Sequence, residues 1–170
     1  MGIYFGLSAF ILLFGIGYKV NLSERRRKNF LIVSFGLLIL VAGLRSPTVG
    51  IDLAGHYAKR FTLVSSYDWS EILTFVTLTG YEIGYCYYIK LVSCISTDVQ
   101  VFIMVSAVVM YGIIAFFIYK KSKDVVMSTE LFICMCVYYI YMNIMRQGLA
   151  VSFVLLGYML LEKYERKLKG

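Results

Sequence analysis

Long apolar runs limit the fold of this chain more than any other feature. The clearest run covers residues 101–119, and the others cover residues 3–18, 30–44, 83–95 and 131–161. A helix that crosses the bilayer core needs about 20 predominantly apolar residues. With 60% hydrophobic residues and a mean hydropathy of +0.76, the chain carries more apolar surface than a soluble domain of its length can bury. The sequence therefore predicts an all-α, polytopic transmembrane helical bundle of five to six spans, forming a single transmembrane domain over residues 1–170.

The basic residues stand in short clusters at the ends of the apolar runs, a distribution that orients membrane proteins. The net charge of +7 therefore predicts orientation in a membrane and no nucleic-acid partner. The cluster at residues 25–28 predicts a cytoplasmic loop, which places the amino terminus outside and residues 45–80 in an extracytoplasmic loop. Three predicted spans separate this cluster from the one at residues 120–123. Both clusters can be cytoplasmic only if residues 59–80 or 83–95 dip or cross in a way that hydropathy does not show.

Aromatic and polar residues alternate from residue 59 to residue 80, which is typical of the membrane interface. Asp68 lies three residues before Glu71, and this spacing predicts a cap on a short interfacial helix. Glu82 then begins the segment at residues 83–95, either as a second carboxylate at the outer face or as a solvated helix start. Lys90 interrupts the same segment, and we expect its ammonium group to snorkel or to pair.

The stretch at residues 43–57 contains the only proline and the only histidine of the chain. If the chain is helical after Pro47, Asp52 and His56 share one helix face with Lys59 and Arg60. With Arg45 nearby, that face would form a cationic pocket holding one carboxylate, which suits a phosphate-bearing substrate. The alternatives are an ordinary interfacial loop with snorkelling basic residues and, for His56, a hydrogen-bonded loop histidine.

A second polar group, Asn143, Arg146 and Gln147, interrupts the last apolar run. Their spacing places them on one face of a helix, and a charge at membrane depth costs at least about 2.5 kcal/mol unless it lines a cavity or pathway. The alternative is an interfacial helix end. We expect residues 131–161 to form two short helices that meet near this group, with Arg146 facing outward. Small residues beyond it, Gly148, Ala150 and Ser152, would let another helix approach closely.

Signatures of several other chemistries are missing from the sequence. The chain has no glycine-rich phosphate loop and no nucleophile elbow, and its single histidine makes a histidine-based metal site improbable. The cysteines lie in apolar runs, where thiols behave as small hydrophobes. Cys134 and Cys136 point to different faces of a helix, so they form a poor metal pair.

Several spaced motifs of the chain resemble those of the EpsG family, Wzy-like membrane proteins of bacterial exopolysaccharide, capsule and O-antigen synthesis. The arginine elements of residues 45–52 and 146–150 together are moderately specific. The motifs that carry the resemblance are Gly43-Leu44-Arg45, Val49-Gly50-Ile51-Asp52, His56-Tyr57 with Phe61, Glu82-Ile83-Gly84-Tyr85, and Asn143-Ile144-Met145-Arg146-Gln147-Gly148-Leu149-Ala150.

The resemblance implies a multi-pass protein of the bacterial cytoplasmic membrane that joins undecaprenyl-diphosphate-linked oligosaccharide repeats at the outer face. Arg45 and Arg146 would hold the diphosphate, and Asp52 would orient those arginines or the acceptor hydroxyl. His56, Tyr57, Arg60, Glu82 and Gln147 would complete the substrate site. No nucleotide, metal or other cofactor is expected, and the partners would be membrane lipid and other polysaccharide-assembly proteins.

Two other functions fit the same residues. The chain could be a lipid-linked oligosaccharide carrier in which Arg45 and Arg146 line a path, or a non-catalytic subunit that recruits glycan-assembly proteins. Family members usually continue with several more spans, so the resemblance implies that this chain is roughly the amino-terminal half.

Overall fold

The computed structural model describes residues 2–20, 23–48, 52 and 56–169, and the described residues form helices without any strand. The helices are α1 Gly2–Gly17, α2 Glu24–Gly43, α3 Ala58–Ser66, α4 Glu71–Thr79, α5 Ile83–Ser93, α6 Val99–Lys121, α7 Val125–Cys134, α8 Val137–Asn143 and α9 Met145–Lys169. The all-α class predicted from the sequence is confirmed. The chain divides into two compact units, one built from the residues up to Leu40 and from Val109 onward, the other from Val41–Val108.

The number of predicted spans is not confirmed. Among the described residues, α6 alone is long and apolar enough to cross a membrane as a single helix. The pair α7 and α8 reaches that length together but is bent by 53° between Cys134 and Val137, so it is either a broken span or a re-entrant loop. The helix α5, predicted as a crossing segment, has 11 residues and is therefore only about 16 Å long.

The first unit packs its long helices through close contacts. A Cβ atom on Gly15 of α1 would lie 2.6 Å from a methyl group of Val126, so α1 and α7 meet without a side chain between them. Ser8 donates a 2.7 Å hydrogen bond to the carboxylate of Glu130 further along the same pair. Helix α7 begins at Asp124, whose Oδ1 accepts the N–H groups of two residues of its first turn at 3.0 Å each.

Buried tyrosines hydrogen-bond to main-chain carbonyls at the centre of the first unit. Tyr138 of α8 is fully buried and donates a 2.8 Å bond to the carbonyl of Leu38 in α2. Tyr111 of α6 is also fully buried and donates a 3.1 Å bond to the carbonyl of Tyr138. The apolar bodies of these rings fill the core, while each hydroxyl has the partner that burial requires.

The basic clusters of the first unit lie at one end of it. Arg27 donates from Nη2 to the carbonyl of Ser122 at 2.6 Å, which joins the start of α2 to the end of α6. Lys121 pairs with Glu162, which joins the end of α6 to α9. The clusters at residues 25–28 and 120–123 therefore lie at the same end of the first unit.

The second unit is made of short helices around an aromatic and aliphatic core. Phe61 of α3 stacks on Phe102 of α6 with ring centroids 4.6 Å apart, and both side chains are fully buried. Lys90 of α5 donates to the carbonyls of Ser65, at 3.2 Å, and Tyr67 at the carboxyl end of α3. The pairing expected for Lys90 is confirmed, with main-chain carbonyls as its partners.

The interfacial segment differs from its prediction in one respect. It forms two helices, α3 and α4, and the N-cap residue of α4 is Ser70, which makes no side-chain cap. The carboxylate of Glu71 instead accepts the backbone N–H of Asp68 at 2.8 Å. The pair supplies only the glutamate half of a capping box, and the prediction that Asp68 caps the helix is wrong.

Candidate functional site

The segment that carries Arg45 is held at the carboxyl end of α2 in the second unit. Gln100 donates from its side-chain amide to the carbonyl of Gly43 at 2.5 Å and to the carbonyl of Arg45 at 3.2 Å. A Cβ atom on Gly43 would lie 2.5 Å from the sulfur of Met104 and 3.3 Å from its Cα. Gly43 thus lets α2 and α6 approach closely, and Gln100 fixes the backbone from which the partly buried Arg45 side chain projects.

The predicted shared face of Asp52, His56, Lys59 and Arg60 depends on residues 53–55, which lie outside the described residues, as do residues 49–51 of the same motif. His56 and Tyr57 lie in a π-helical turn directly before α3. A π-helical turn is wider than an α-helical turn, so it interrupts the 3.6-residue period that the shared face requires. Asp52 is partly exposed and His56 is exposed.

Arg60 is positioned by Tyr81, which lies between α4 and α5. Its guanidinium lies 3.3 Å from the ring centroid of Tyr81 and donates to the phenol oxygen of that residue. Glu82 follows as the exposed N-cap residue of α5, in extended backbone and without a side-chain cap. Arg60 and Glu82 both lie within electrostatic range of Cys86 on α5. The second unit therefore places a guanidinium and a carboxylate near the same turn of α5.

Tyr57 belongs to a wall of aromatic rings in the second unit. It is 8% exposed, and its ring meets that of Tyr85 edge-to-face at 6.2 Å. Tyr85 stacks on Tyr88 at 6.4 Å, and the hydroxyl of Tyr88 lies 3.0 Å from that of Ser106. Burial of Tyr57 next to the exposed His56 distinguishes the two adjacent residues. Tyr57 is the one that belongs to the aromatic packing.

Arg146 and Gln147 stand in the first turn of α9 in the first unit. Helix α8 ends at Asn143 and α9 begins at Met145, so the predicted break near Arg146 is confirmed at Ile144. The prediction of two short helices is wrong, because residues 131–161 belong to three helices and α9 has 25 residues. The break also means that Asn143 does not share one helix face with the other two polar residues. Asn143 donates from Nδ2 to the carbonyl of Tyr139 at 3.2 Å, within α8. Arg146 is partly buried and Gln147 is exposed.

Two of the three small residues after Arg146 lie against α6. A Cβ atom on Gly148 would meet the sulfur of Met110 and would lie 3.1 Å from Cγ of Tyr141. Ser152 is fully buried and donates to the carbonyls of Gly148, at 2.8 Å, and Met110, at 3.3 Å. Ala150 is exposed, because it is two positions from Gly148 and points to another face.

The candidate residues fall into two groups. Arg45, Asp52, His56, Tyr57, Arg60 and Glu82 belong to the second unit, while Arg146 and Gln147 belong to the first. In the second unit, the close contact at Gly43 and the side chain of Gln100 fix the backbone near Arg45. In the first unit, the close contact at Gly148 and the side chain of Ser152 fix the backbone near Arg146. The convergence of Arg45 with Arg146 stays a prediction.

Two residues with clear roles carry no obvious sequence signal. Gln100 lies at the start of an apolar helix. Its position alone does not show whether its side chain bonds to a distant backbone segment or is solvated at the start of the helix. Glu130 precedes the apolar run that begins at residue 131, yet it is only 8% exposed and is bonded to Ser8. Glu130 could be recognised as a buried acid only if the start of α7 at Val125 were known, because that start places Glu130 in the middle of the helix.

Comparison with known families gives one match for this chain. Residues 28–169 match the model of the EpsG family. No curated protein and no solved structure matches the chain. The matched range includes both arginine elements. It also covers every helix from α3 to α8, which are the long α6 and five shorter helices.

Proposed function

The chain belongs to the EpsG family, membrane proteins of polysaccharide biosynthesis, and from that premise we propose that it joins lipid-diphosphate-linked oligosaccharide repeats into a longer glycan. The reaction would take place at the outer face of the bacterial cytoplasmic membrane. The observation that carries the proposal is the position of Arg146, a partly buried arginine in the first turn of a helix that follows a break in an apolar segment.

The position of Arg146 suits a diphosphate. The first N–H groups of a helix point away from the helix and carry partial positive charge, so an anion is stabilised there. A guanidinium in the same turn adds a full positive charge to that partial charge. A lipid diphosphate bound there would be attracted by both, and the negative charge that grows on the leaving group would be stabilised where water is scarce.

Arg45 would supply the second guanidinium. Gln100 and Gly43 fix its backbone, which reduces the conformational entropy lost when the side chain orders around a ligand. Arginine binds phosphate oxygens through two parallel N–H bonds, a geometry that lysine does not reproduce. The proposal therefore requires arginine at this position, and not merely positive charge.

The remaining residues would handle the sugars. In the proposed reaction the acceptor hydroxyl attacks the anomeric carbon of the donor, the bond from that carbon to the diphosphate oxygen breaks, and the lipid diphosphate leaves. Asp52 would accept the hydroxyl proton or orient the hydroxyl. The buried Tyr57, packed on Tyr85, would shape the pocket, and His56, Arg60, Glu82 and Gln147 would bind sugar hydroxyls.

Arginine-to-lysine substitutions test the proposal in cells that depend on this gene for a glycan. We expect Arg45→Lys and Arg146→Lys each to shorten the glycan ladder on a gel while the protein inserts at its usual level. Each loss should lie in the range of about 100- to 1,000-fold in polymerisation rate, as for removal of one preorganised charge-stabilising donor. Arg25→Lys is the matched control, because Arg25 is exposed in the basic cluster of α2. Normal ladders from both variants would exclude the two arginines from the mechanism.

A carrier of lipid-linked oligosaccharide is the second candidate, favoured by the 53° bend between α7 and α8. Transporters build their substrate sites from such discontinuous helices. Single cysteines at positions 45, 52 and 146, in a chain whose four native cysteines are replaced by serine, distinguish the two functions. Labelling from outside only supports the polymerase, whereas labelling from both sides supports the carrier.

A further inference from the structure

A groove of about 350 Å³ lies between the last turns of α6 and the carboxyl-terminal half of α9, within the first unit. Its walls are mainly apolar and include Phe116, Leu156, Met159 and Leu160. None of these residues belongs to the proposed diphosphate site. The groove is therefore a separate feature of the molecule.

Charged side chains line the same groove at the ends of the two helices. They are four cations and one carboxylate, which together carry a formal charge of +3: Lys120, Lys121, Lys163, Arg166 and Glu162. A cavity that combines a hydrocarbon wall with a cationic rim complements an amphiphile with an anionic head group. A free anion would use the rim but would leave the apolar wall uncovered.

Glu162 organises part of this rim. Its carboxylate pairs with Lys121 of α6 and with Arg166 one turn further along α9. The side chains of Glu162 and Lys121 are 26% and 25% exposed, so water screens this pair less than one on an open surface, whereas Arg166 is 76% exposed. The Lys121 pair holds the two helix ends together, and the Arg166 pair, within α9, keeps a second cation at the mouth of the groove.

Lys120 is held at the same end by aromatic rings. Its ammonium lies 5.8 Å from the ring centroid of Phe116 and 5.3 Å from that of Tyr119. Lys163 lines the groove from α9 and is exposed. These two ammonium groups take no part in the Glu162 pairs described above, so they carry two of the three excess positive charges of the rim.

We propose that this groove binds an anionic phospholipid, with the head-group phosphate at Lys120 and Lys163 and the first part of the acyl chains along Leu156 and Met159. In a membrane the apolar wall would contact acyl chains, and the cationic rim would select the head group. A zwitterionic lipid presents its own cation to the rim and is disfavoured. The bond from Arg27 to Ser122 places a further basic cluster at this end of the unit, which favours the cytoplasmic leaflet with its anionic lipids.

Native mass spectrometry of the purified full chain, released from mild detergent, tests the proposal. The probes are phosphatidylglycerol and phosphatidylcholine with identical acyl chains at equal concentration. We expect the unsubstituted chain to retain phosphatidylglycerol over phosphatidylcholine by at least about fivefold, the ratio that one basic residue near an anionic head group supplies. The triple variant Lys120→Gln, Lys163→Gln, Arg166→Gln should bring that ratio close to one.

A matched triple variant controls for net charge. Arg25→Gln, Lys123→Gln and Lys167→Gln remove the same charge from residues that do not line the groove, and we expect this variant to keep the preference. Met159→Trp narrows the groove without changing its charge and should lower retention of phosphatidylglycerol about threefold or more. Circular dichroism and size-exclusion chromatography confirm that each variant is folded.

Three outcomes would overturn the proposal. One is equal loss of preference in the two triple variants, which would show general electrostatic attraction. Another is equal retention of both lipids by the unsubstituted chain. The third is displacement of the lipid by millimolar inorganic phosphate together with no effect of Met159→Trp, which would show an anion site that does not read the acyl chains.

Discussion

The two units of this chain solve the same packing problem in different ways. The first unit uses long helices that approach through small residues such as Gly15, Gly148 and Ser152. The second uses helices of 9 to 11 residues, α3 to α5, tied together by side chains that bond to main-chain carbonyls, as Lys90 and Gln100 do. Each unit also uses the other means, since Tyr138 of the first unit bonds to a carbonyl and Gly43 of the second makes a close contact, so the units differ in proportion.

The physical reason lies in the helix termini. Every helix leaves four N–H groups and four carbonyls without intrahelical partners, whatever its length. In a helix of 9 to 11 residues these groups are roughly two fifths of the backbone polar groups, so more of them depend on polar side chains or solvent. In a long apolar helix these terminal groups are a minor fraction of the backbone polar groups, and packing against other long helices depends mainly on the shapes of the side chains.

The largest effect is expected from a leucine at position 148. Gly148→Leu places a side chain against Met110 and Tyr141, where even a Cβ atom has no room, and we expect a loss of about 3 kcal/mol in the free energy of unfolding. The measurement is SDS-induced unfolding from detergent micelles. Gly157→Leu in the same helix is the control, because nothing lies within 4 Å of its added Cβ. Equal effects at both positions would break the description of the first unit as closely packed.

A smaller effect is expected from removing the cation of the second unit. Lys90→Met keeps the length and the apolar stem of the side chain but loses the bonds to the carbonyls of Ser65 and Tyr67. We expect a loss of about 2 kcal/mol in unfolding free energy, since bonds to a charged donor are the stronger ones. Backbone hydrogen exchange should rise at the end of α3. Lys59→Met, at an exposed position of α3, should change neither quantity.

The smallest effect tests close packing inside the second unit. Gly43→Ala brings a methyl group to the flexible sulfur of Met104, which can move, and to within 3.3 Å of its Cα, which cannot move easily. We expect a loss of about 1 kcal/mol in unfolding free energy. Gly36→Ala in the same helix has open space and should be neutral or slightly stabilising. A larger loss of unfolding free energy from Gly43→Ala than from Gly148→Leu would contradict the description of the first unit as the more closely packed of the two.

The fold was predictable where a local pattern decides it. The apolar run at residues 101–119 predicts α6 to within two residues at each end, and the polar group around Arg146 predicts the break at Ile144. The bend between α7 and α8 was not predictable. Cys136 adopts a positive φ of 61° with neither glycine nor proline nearby, so no local signal marks it.

The candidate site was predictable only in part. The unusual polar residues Arg45, Asp52 and Arg146 stand out against an apolar chain. Their supports do not, because Gln100 and Gly43 act through contacts with residues far away in the sequence. Tyr57 and His56 are adjacent, and each has a ring that carries a polar group. Only the packing of Tyr57 against Tyr85 shows which of the two rings is buried and which is exposed.

The sequence by itself determined that this chain is helical and rich in long apolar segments, that its basic residues cluster at segment ends, and that two arginine elements stand apart. These properties follow from composition and from spacing along one helix, which are local. The tertiary structure decided that α5 is short, that the basic clusters meet at one end of the first unit, and that a charged groove forms between α6 and α9. Those features depend on which distant helices touch, and a contact between distant residues leaves no periodic trace in either segment.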